Sequence, residues 1–300
     1  MFGIHRGSAS GNENPMTDRQ ARDLPLDAHV HTNLSPDSNV AIDDYAASAL
    51  ERGIAEIAIT DHVDFEPGAP AFAFTTFEDR ERIVRNAAER WGPQGVHIRF
   101  GVELTYDRSW EGDIRDHLAR YSYDFTIGSV HDRVDSPYSP GRVASWVEGR
   151  PLAEIVGLSF DEVVAAARSG LFDAIGHIDG VKRYVFPYVT PADFEAAPEL
   201  YEPILHALIE SGTALEVNTS GLRYPIRRSF PHPAIVARFR ELGGRAVTVG
   251  SDAHRLDQLS WGLEDGYAIA ADAGFSELTF RRGPGADRVE VPIPAAKIPS

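Results

Sequence analysis

His29 and His31 stand two residues apart in "DAHVHTNLSPDS", and Asp37 follows in the same stretch. An extended strand points residues i and i+2 to one face, so both imidazoles project together. Asn33, Ser35, Pro36 and Asp37 then supply turn chemistry. Two imidazoles at a strand end with a carboxylate just beyond can begin a metal site, but in a chain with 11 histidines the pair alone decides nothing. The pattern recurs along the chain. Asp61 and His62 follow one apolar run, Glu103 ends the next, and His131 follows a third. His177 with Asp179, Glu216 with Asn218, and Asp252 with His254 close three more. A lone strand-end histidine usually hydrogen-bonds a loop carbonyl, Asp252 could cap a helix, and Glu103 could pair with Arg99 or Arg108. Six histidines and two or three carboxylates gathered at one end of successive strands resist that explanation. Burying so many unpaired polar groups together is costly without a compensating charge. Divalent cations supply it. The chain has no cysteine, so His, Asp and Glu must do the holding.

The elements that must position these groups are short apolar strands alternating with amphipathic helices. Strands are predicted at 55–60, 96–104, 123–130, 172–178, 213–218 and 245–250, besides the opening strand. Helical periodicity runs through "AIDDYAASALERG", "FEDRERIVRNAAERWG", "SFDEVVAAARSG", "YEPILHALIESG" and "PAIVARFRELGG". Gly53, Gly170, Gly212 and Gly243 suit the left-handed position after a helix. Seven strands with intervening helices predict an α/β fold with a parallel sheet. A closed, TIM-like barrel is favoured over an open sheet, because a barrel brings every strand C-terminus to one face. An open sheet would gather only some of them at its switch point. There is no Gly-x-Gly-x-x-Gly turn and no Walker loop. The expected organisation is a tail over 1–23, one barrel domain over 24–285 and a C-terminal tail over 286–300.

Composition narrows the function. With 43% hydrophobic and 25% charged residues, the chain reads as a globular protein. Its 29 basic and 45 acidic residues give a net charge of −16, which repels a phosphate backbone and counts against nucleic-acid partners. No run approaches the roughly 18 apolar residues of a membrane span, and the polar start does not read as a signal peptide. A cytoplasmic location is expected.

The set "DAHVHTNLSPDS", "ITDHVDF", "GVELTY", "IGSVH", "AIGHIDGVKRY", "EVNTSGLR" and "VGSDAH" resembles the polymerase-and-histidinol-phosphatase (PHP) domain family, and within it most of all the histidinol-phosphate phosphatases. The resemblance runs from about Leu24 to about Phe280. It implies a distorted (β/α)₇ barrel with up to three divalent metal ions at the strand C-termini. His29, His31, Glu103 and Asp252 would hold the first ion. Glu103 would bridge to a second, held also by His131 and His177, and Asp37, His62 and His254 would hold the third. Asp37 stands where some members have histidine, which leaves Zn, Fe and Mn all open.

Two ions sharing a carboxylate can hold a hydroxide between them, and metal coordination can lower the pKa of water to roughly 7. That chemistry points to attack on a small phosphate monoester, with Glu103, Asp252, His254 and Arg183 expected to serve the reaction. Cationic groups near the site would meet the charge that develops on the phosphoryl oxygens. The resemblance favours Arg183 as a phosphate clamp, with Arg223 and Lys182 as further candidates, whereas a surface ion pair is the plainer reading of Arg183. Arg142 and Arg150 fall in a long loop after His131, and long loops are often functional. Phe65, Tyr106, Trp146, Asp64 and Asp135 are candidates for contact with the rest of the substrate. L-Histidinol phosphate leads as the substrate. The alternatives are another small-molecule phosphatase, a phosphodiesterase or exonuclease, or a non-catalytic regulatory module, although none of the nine proposed ligands is missing.

Overall fold

The computed structural model describes residues 24–132 and 135–294, so the expected N-terminal tail lies outside the described residues. Seven parallel strands form the main sheet. In order around it they are β1 (Asp27–Val30), β2 (Glu56–Ile59), β4 (His97–Thr105), β5 (Phe125–Ser129), β6 (Ala174–Ile175), β7 (Ala214–Asn218) and β8 (Val247–Gly250). A two-residue strand, β3 (His62–Val63), adds to the edge of β4 where β2 has ended. The last strand returns to the first. His31 N–H donates to Ala253 O at 2.8 Å and Asp252 N–H donates to His29 O at 2.8 Å, joining β1 to the chain leaving β8. The result is an α/β barrel, nearly closed, with helices outside. Strands β1, β2, β5, β7 and β8 are buried along their whole length, as expected of parallel strands covered on both faces.

The helices expected from periodicity form at Ile42–Arg52, Phe77–Trp91, Leu152–Ser169, Glu202–Ser211 and Pro233–Glu241. Two further helices of ten residues, Glu111–Arg120 and Leu263–Asp272, are not expected from the periodicity. The second contains Gly266, a poor helix former, because it lies hard against the barrel: a Cβ there would come within 2.6 Å of Val249 Cγ1. The strand expected over 172–178 shortens to Ala174–Ile175, since the chain turns sharply after Gly176 to present His177.

The C-terminal segment is not a simple tail. Strands β9 (Glu277–Arg281) and β10 (Arg288–Pro292) form an antiparallel hairpin that runs into the stretch expected as a C-terminal tail over 286–300, of which residues 295–300 lie outside the described residues. Phe280 is fully buried against Phe125, ring centroids 4.5 Å apart. Arg281 pairs with Asp173 at 2.7 Å and Arg282 with Glu56 at 2.7 Å. Both carboxylates sit at the N-terminal ends of barrel strands. The hairpin therefore covers the end of the barrel opposite the ionisable cluster.

Candidate metal centre

The barrel brings the nine expected ligands together at the C-terminal ends of its strands. Glu103 stands at the centre. It comes near the end of β4, fully buried, and its two oxygens face different partners. Oε2 lies 3.2 Å from His29 Nε2, 3.3 Å from His31 Nε2 and 3.0 Å from His62 Nδ1. Oε1 lies 3.3 Å from His131 Nε2 and 3.0 Å from His177 Nε2. Asp252 Oδ1 completes the first group, 3.5 Å from His31 Nε2 and 3.9 Å from His29 Nε2. Asp37 Oδ2 sits 3.2 Å from His62 Nε2 and 3.0 Å from His254 Nε2. The partition into three sets is not sharp, because His31 also reaches the Asp37 group and His62 the Glu103–His131 group.

The donors fit divalent cations. Among the described residues, His29 Nε2, both ring nitrogens of His31 and Glu103 Oε2 are buried without a hydrogen-bond partner. Orphaned buried polar atoms are costly, and here they converge on shared points rather than on one another's protons. Burial opposes charge on each group. At Glu103 it is outweighed by His29, His62 and His131, which hold the carboxyl well below its usual range. Burial likewise loses to His29, His31 and His254 at Asp252, whose carboxyl is also held well below the usual range. His31 goes the other way: burial and the neighbouring His254 and His62 push it well below an ordinary histidine. The site favours ionised carboxylates and at least one neutral imidazole, a donor set for borderline metals.

Local backbone aims these side chains. His177 and Asp252 both have positive φ, 23° and 53°, unusual for residues with a Cβ. Each lies two residues beyond a strand, in the turn that leads away from it. His131 Nδ1 is 2.9 Å from Thr105 Oγ1, and His254 Nδ1 is 3.0 Å from Asp252 O, which leaves the Nε2 atoms facing inward. Arg80 is buried and donates to Asp61 O at 3.1 Å and His62 O at 2.6 Å, fixing the strand end that carries His62. Glu216, noted only as a strand-end carboxylate in the sequence, lies behind His29 with Oε1 2.6 Å from Nδ1. Its two-residue offset from Asn218 was visible, but its partner was not.

Of the candidate cations, Arg183 alone reaches the site. A cavity of about 330 Å³ opens over the cluster, and Arg183 lines it together with Asp37, His62, His131, His177 and His254. Arg183 donates to Tyr184 OH at 2.6 Å and Tyr224 OH at 3.3 Å, and among the described residues it makes no carboxylate ion pair. The surface-ion-pair reading therefore lacks its partner. Lys182 turns the other way: it is buried, paired with Asp179 and stacked on Phe194 and Tyr201. Arg223 is spent on the backbone, donating to Ser251 O at 2.7 Å and Asp252 O at 2.8 Å. Arg142 pairs with Asp135, and Arg150 holds the carbonyls of Ser145 and Trp146. Neither serves the site. Asp64, Phe65 and Tyr106 line the cavity, Asp135 lines a neighbouring one, and Trp146 lines neither. Arg99 and Arg108 pair with Glu56 and Glu162, leaving Glu103 to the histidines.

The PHP domain model matches residues 27–220, from the first histidine strand to the end of β7. The chain belongs to the PHP domain family. Among curated members it is 30% identical over 260 residues to a "probable histidinol-phosphatase" of Deinococcus radiodurans, covering 85% of this chain and 96% of that one. It is 28% identical over 268 residues to the histidinol-phosphatase of Lactococcus lactis subsp. lactis, covering 88% and 96%. A solved structure of the histidinol phosphate phosphatase from Lactococcus lactis, complexed with zinc, L-histidinol and phosphate, superposes with a TM-score of 0.74 at 24% identity. That match covers 86% of this chain and 97% of the other. The PHP barrel is thus shared along nearly the whole of both chains.

Proposed function

We propose that this PHP protein is a metal-dependent phosphomonoesterase that hydrolyses L-histidinol phosphate to L-histidinol and phosphate. The observation that carries the reading is Glu103, whose two oxygens face separate histidine sets beneath a cavity lined by His62, His131, His177 and Arg183. In this reading His29, His31, Glu103 and Asp252 would hold one divalent ion. Glu103, with His131 and His177, would contribute to a second, and Asp37, His62 and His254 would hold a third. Zn, Fe and Mn all suit the mixed nitrogen and oxygen donors. When bound, such ions supply Lewis acidity toward phosphoryl oxygens and lower the pKa of coordinated water.

The chain's own contribution is placement. Glu103 presents one oxygen to His29, His31 and His62 and the other to His131 and His177. Arg183, its guanidinium 4.8 Å from the Tyr184 ring and 5.4 Å from that of Tyr224, offers a planar fork to the phosphoryl oxygens. The rest of the cavity combines aromatic Phe65, Trp110 and Tyr184 with acidic Asp64, Glu66 and Asp132. Among the described residues, Asp132 Oδ1 is buried there without a hydrogen-bond partner. Aromatic faces and carboxylates suit an alcohol that carries an imidazole and an ammonium group. The same acidic wall repels a polyanionic strand, against an exonuclease. The names of the relatives support the substrate, and the reading places the protein in histidine biosynthesis in the cytoplasm; no helix among the described residues is long and apolar enough to cross a membrane.

A panel of phosphate esters assayed with and without added Mn or Zn tests this. L-Histidinol phosphate should lead, and monoesters should far exceed diesters. A panel won by diesters or oligonucleotides would replace the proposal with the nuclease reading.

A further inference from the structure

We propose that Glu216 is a positioning residue that sets the tautomer of His29 and ties together the strand ends carrying the first two ligand sets. The proposal rests on the metal-centre reading and goes beyond it. Glu216 is fully buried in the middle of β7 and belongs to none of the ligand groups. Its Oε1 lies 2.6 Å from His29 Nδ1. Its Oε2 accepts from His177 N–H at 2.8 Å and from Asn218 Nδ2 at 3.0 Å. Asn218 Nδ2 lies in turn 3.4 Å from Asp252 Oδ2. One carboxylate thus touches β1, β7 and the turn after β6, and reaches the turn after β8 through a single amide.

The chemistry of these contacts is directional. Both oxygens of a carboxylate accept, so His29 meets Oε1 by placing its ring proton on Nδ1. The Nε2 lone pair is then free, and Nε2 is the atom that lies 3.2 Å from Glu103 Oε2 without a hydrogen bond. His177 is held by its backbone at a φ of 23°, so the bond to Oε2 braces the turn that aims its ring at Glu103. Gly250 makes room for this arrangement. A Cβ there would come within 2.4 Å of His29 Cβ and 2.8 Å of Glu216 Oε1.

Glutamine is nearly isosteric but cannot satisfy both sides. With its NH₂ toward His29, Nδ1 must accept, and the ring proton moves to the inward Nε2. With its NH₂ toward His177, the amide meets two donors, the His177 N–H and the Asn218 side chain. Glu216→Gln should therefore weaken the tightest zinc-binding step by about 10- to 100-fold, the range typical of lost ligand-orienting partners.

The test uses the full chain, stripped of metal and titrated with zinc against a competing indicator, with long-range ¹H–¹⁵N correlation spectra of the histidine rings. With zinc bound, wild type should show the His29 ring proton on Nδ1. Glu216→Gln should lose that signature and the tight step while keeping its circular dichroism spectrum. A Gln variant that matches wild type in affinity and tautomer would overturn the inference. So would a zinc-loaded wild-type spectrum with the His29 proton on Nε2, a measurement that stands even if the variant fails to fold. Wild type that binds no zinc would overturn the metal-centre reading itself, and this inference with it.

Discussion

Asp37 and His254 meet across the mouth of the barrel, Oδ2 to Nε2 at 3.0 Å, although one follows the first barrel strand and the other the last. Their side chains are 46% and 24% exposed, whereas His29 at the barrel floor is 0% exposed. An ion held by the Asp37 set faces solvent and competing ligands more than its neighbours do. Chelator titration followed by metal analysis should therefore remove one ion well before the others. Asp37→Ala should lose that ion alone. Simultaneous release of all ions would refute separate sites.

Glu103→Ala should be the most damaging single change. It removes the group shared by five histidine contacts and leaves their inward nitrogens facing one another. Expected is the loss of two ions and of essentially all turnover. A variant with full metal content and rate would show that the bridging role is wrong.

Arg183→Ala should leave metal content intact, because Arg183 contacts tyrosine hydroxyls rather than ligands. Charge-assisted hydrogen bonds contribute about 1.5–3 kcal/mol each, so kcat/KM should fall roughly ten- to a hundredfold. Lysine should recover only part of the loss, since a point charge lacks the planar fork. Unchanged kcat/KM in the alanine variant would remove Arg183 from the site.

The acidic wall makes a different demand. Glu66→Gln and Asp132→Asn should raise KM for L-histidinol phosphate, by about tenfold if one charge-assisted contact is lost. They should have little effect on a monoester whose leaving group is uncharged, such as phenyl phosphate. Equal effects on both substrates would show that these carboxylates do not read the cationic end.

Metal affinity should rise with pH. Burial disfavours the imidazolium of His29, yet Glu216, Glu103 and Asp252 hold its pKa well above the ordinary value, and carboxylates similarly raise His62 and His254. An ion must displace any proton on these rings, and protons win as pH falls. Because the metal-free values are raised, competition extends above the ordinary imidazole range. Zinc titrations between about pH 6 and pH 8 should show apparent affinity climbing by about tenfold per unit for each proton released. A flat profile would mean that the rings are already neutral throughout.

Much of the site was legible because a parallel barrel converts sequence order into spatial convergence. Each ligand sits at a strand end, and strand ends are marked by apolar runs that stop. His29 and His31 could be assigned to one face from their spacing alone, and the structure puts their Nε2 atoms on the same oxygen of Glu103. The helix stops at Gly53, Gly170 and Gly212 were readable for a local reason, since their φ values of 71°, 63° and 70° favour a residue without a Cβ.

The cations were a different matter. Lys182 and Arg183 are adjacent in sequence, and on a short helix adjacent residues point in different directions. One is buried on Asp179 and the other opens on the cavity, a choice made by packing against Phe194 and Tyr201 that no local pattern encodes. Arg223 was diverted to backbone carbonyls for the same kind of reason. The sequence by itself determined the α/β alternation, the barrel and the gathering of ionisable groups at its strand ends, because all three follow from periodicity and from where the apolar runs stop. The choice of nine donors among those groups came instead from the family resemblance. Only the tertiary structure decided which oxygen of Glu103 faces which histidines, that Glu216 stands behind His29, and that the C-terminal hairpin covers the far end of the barrel. Those relationships join residues far apart in the chain, where direction and distance depend on closure of the sheet rather than on neighbours in sequence.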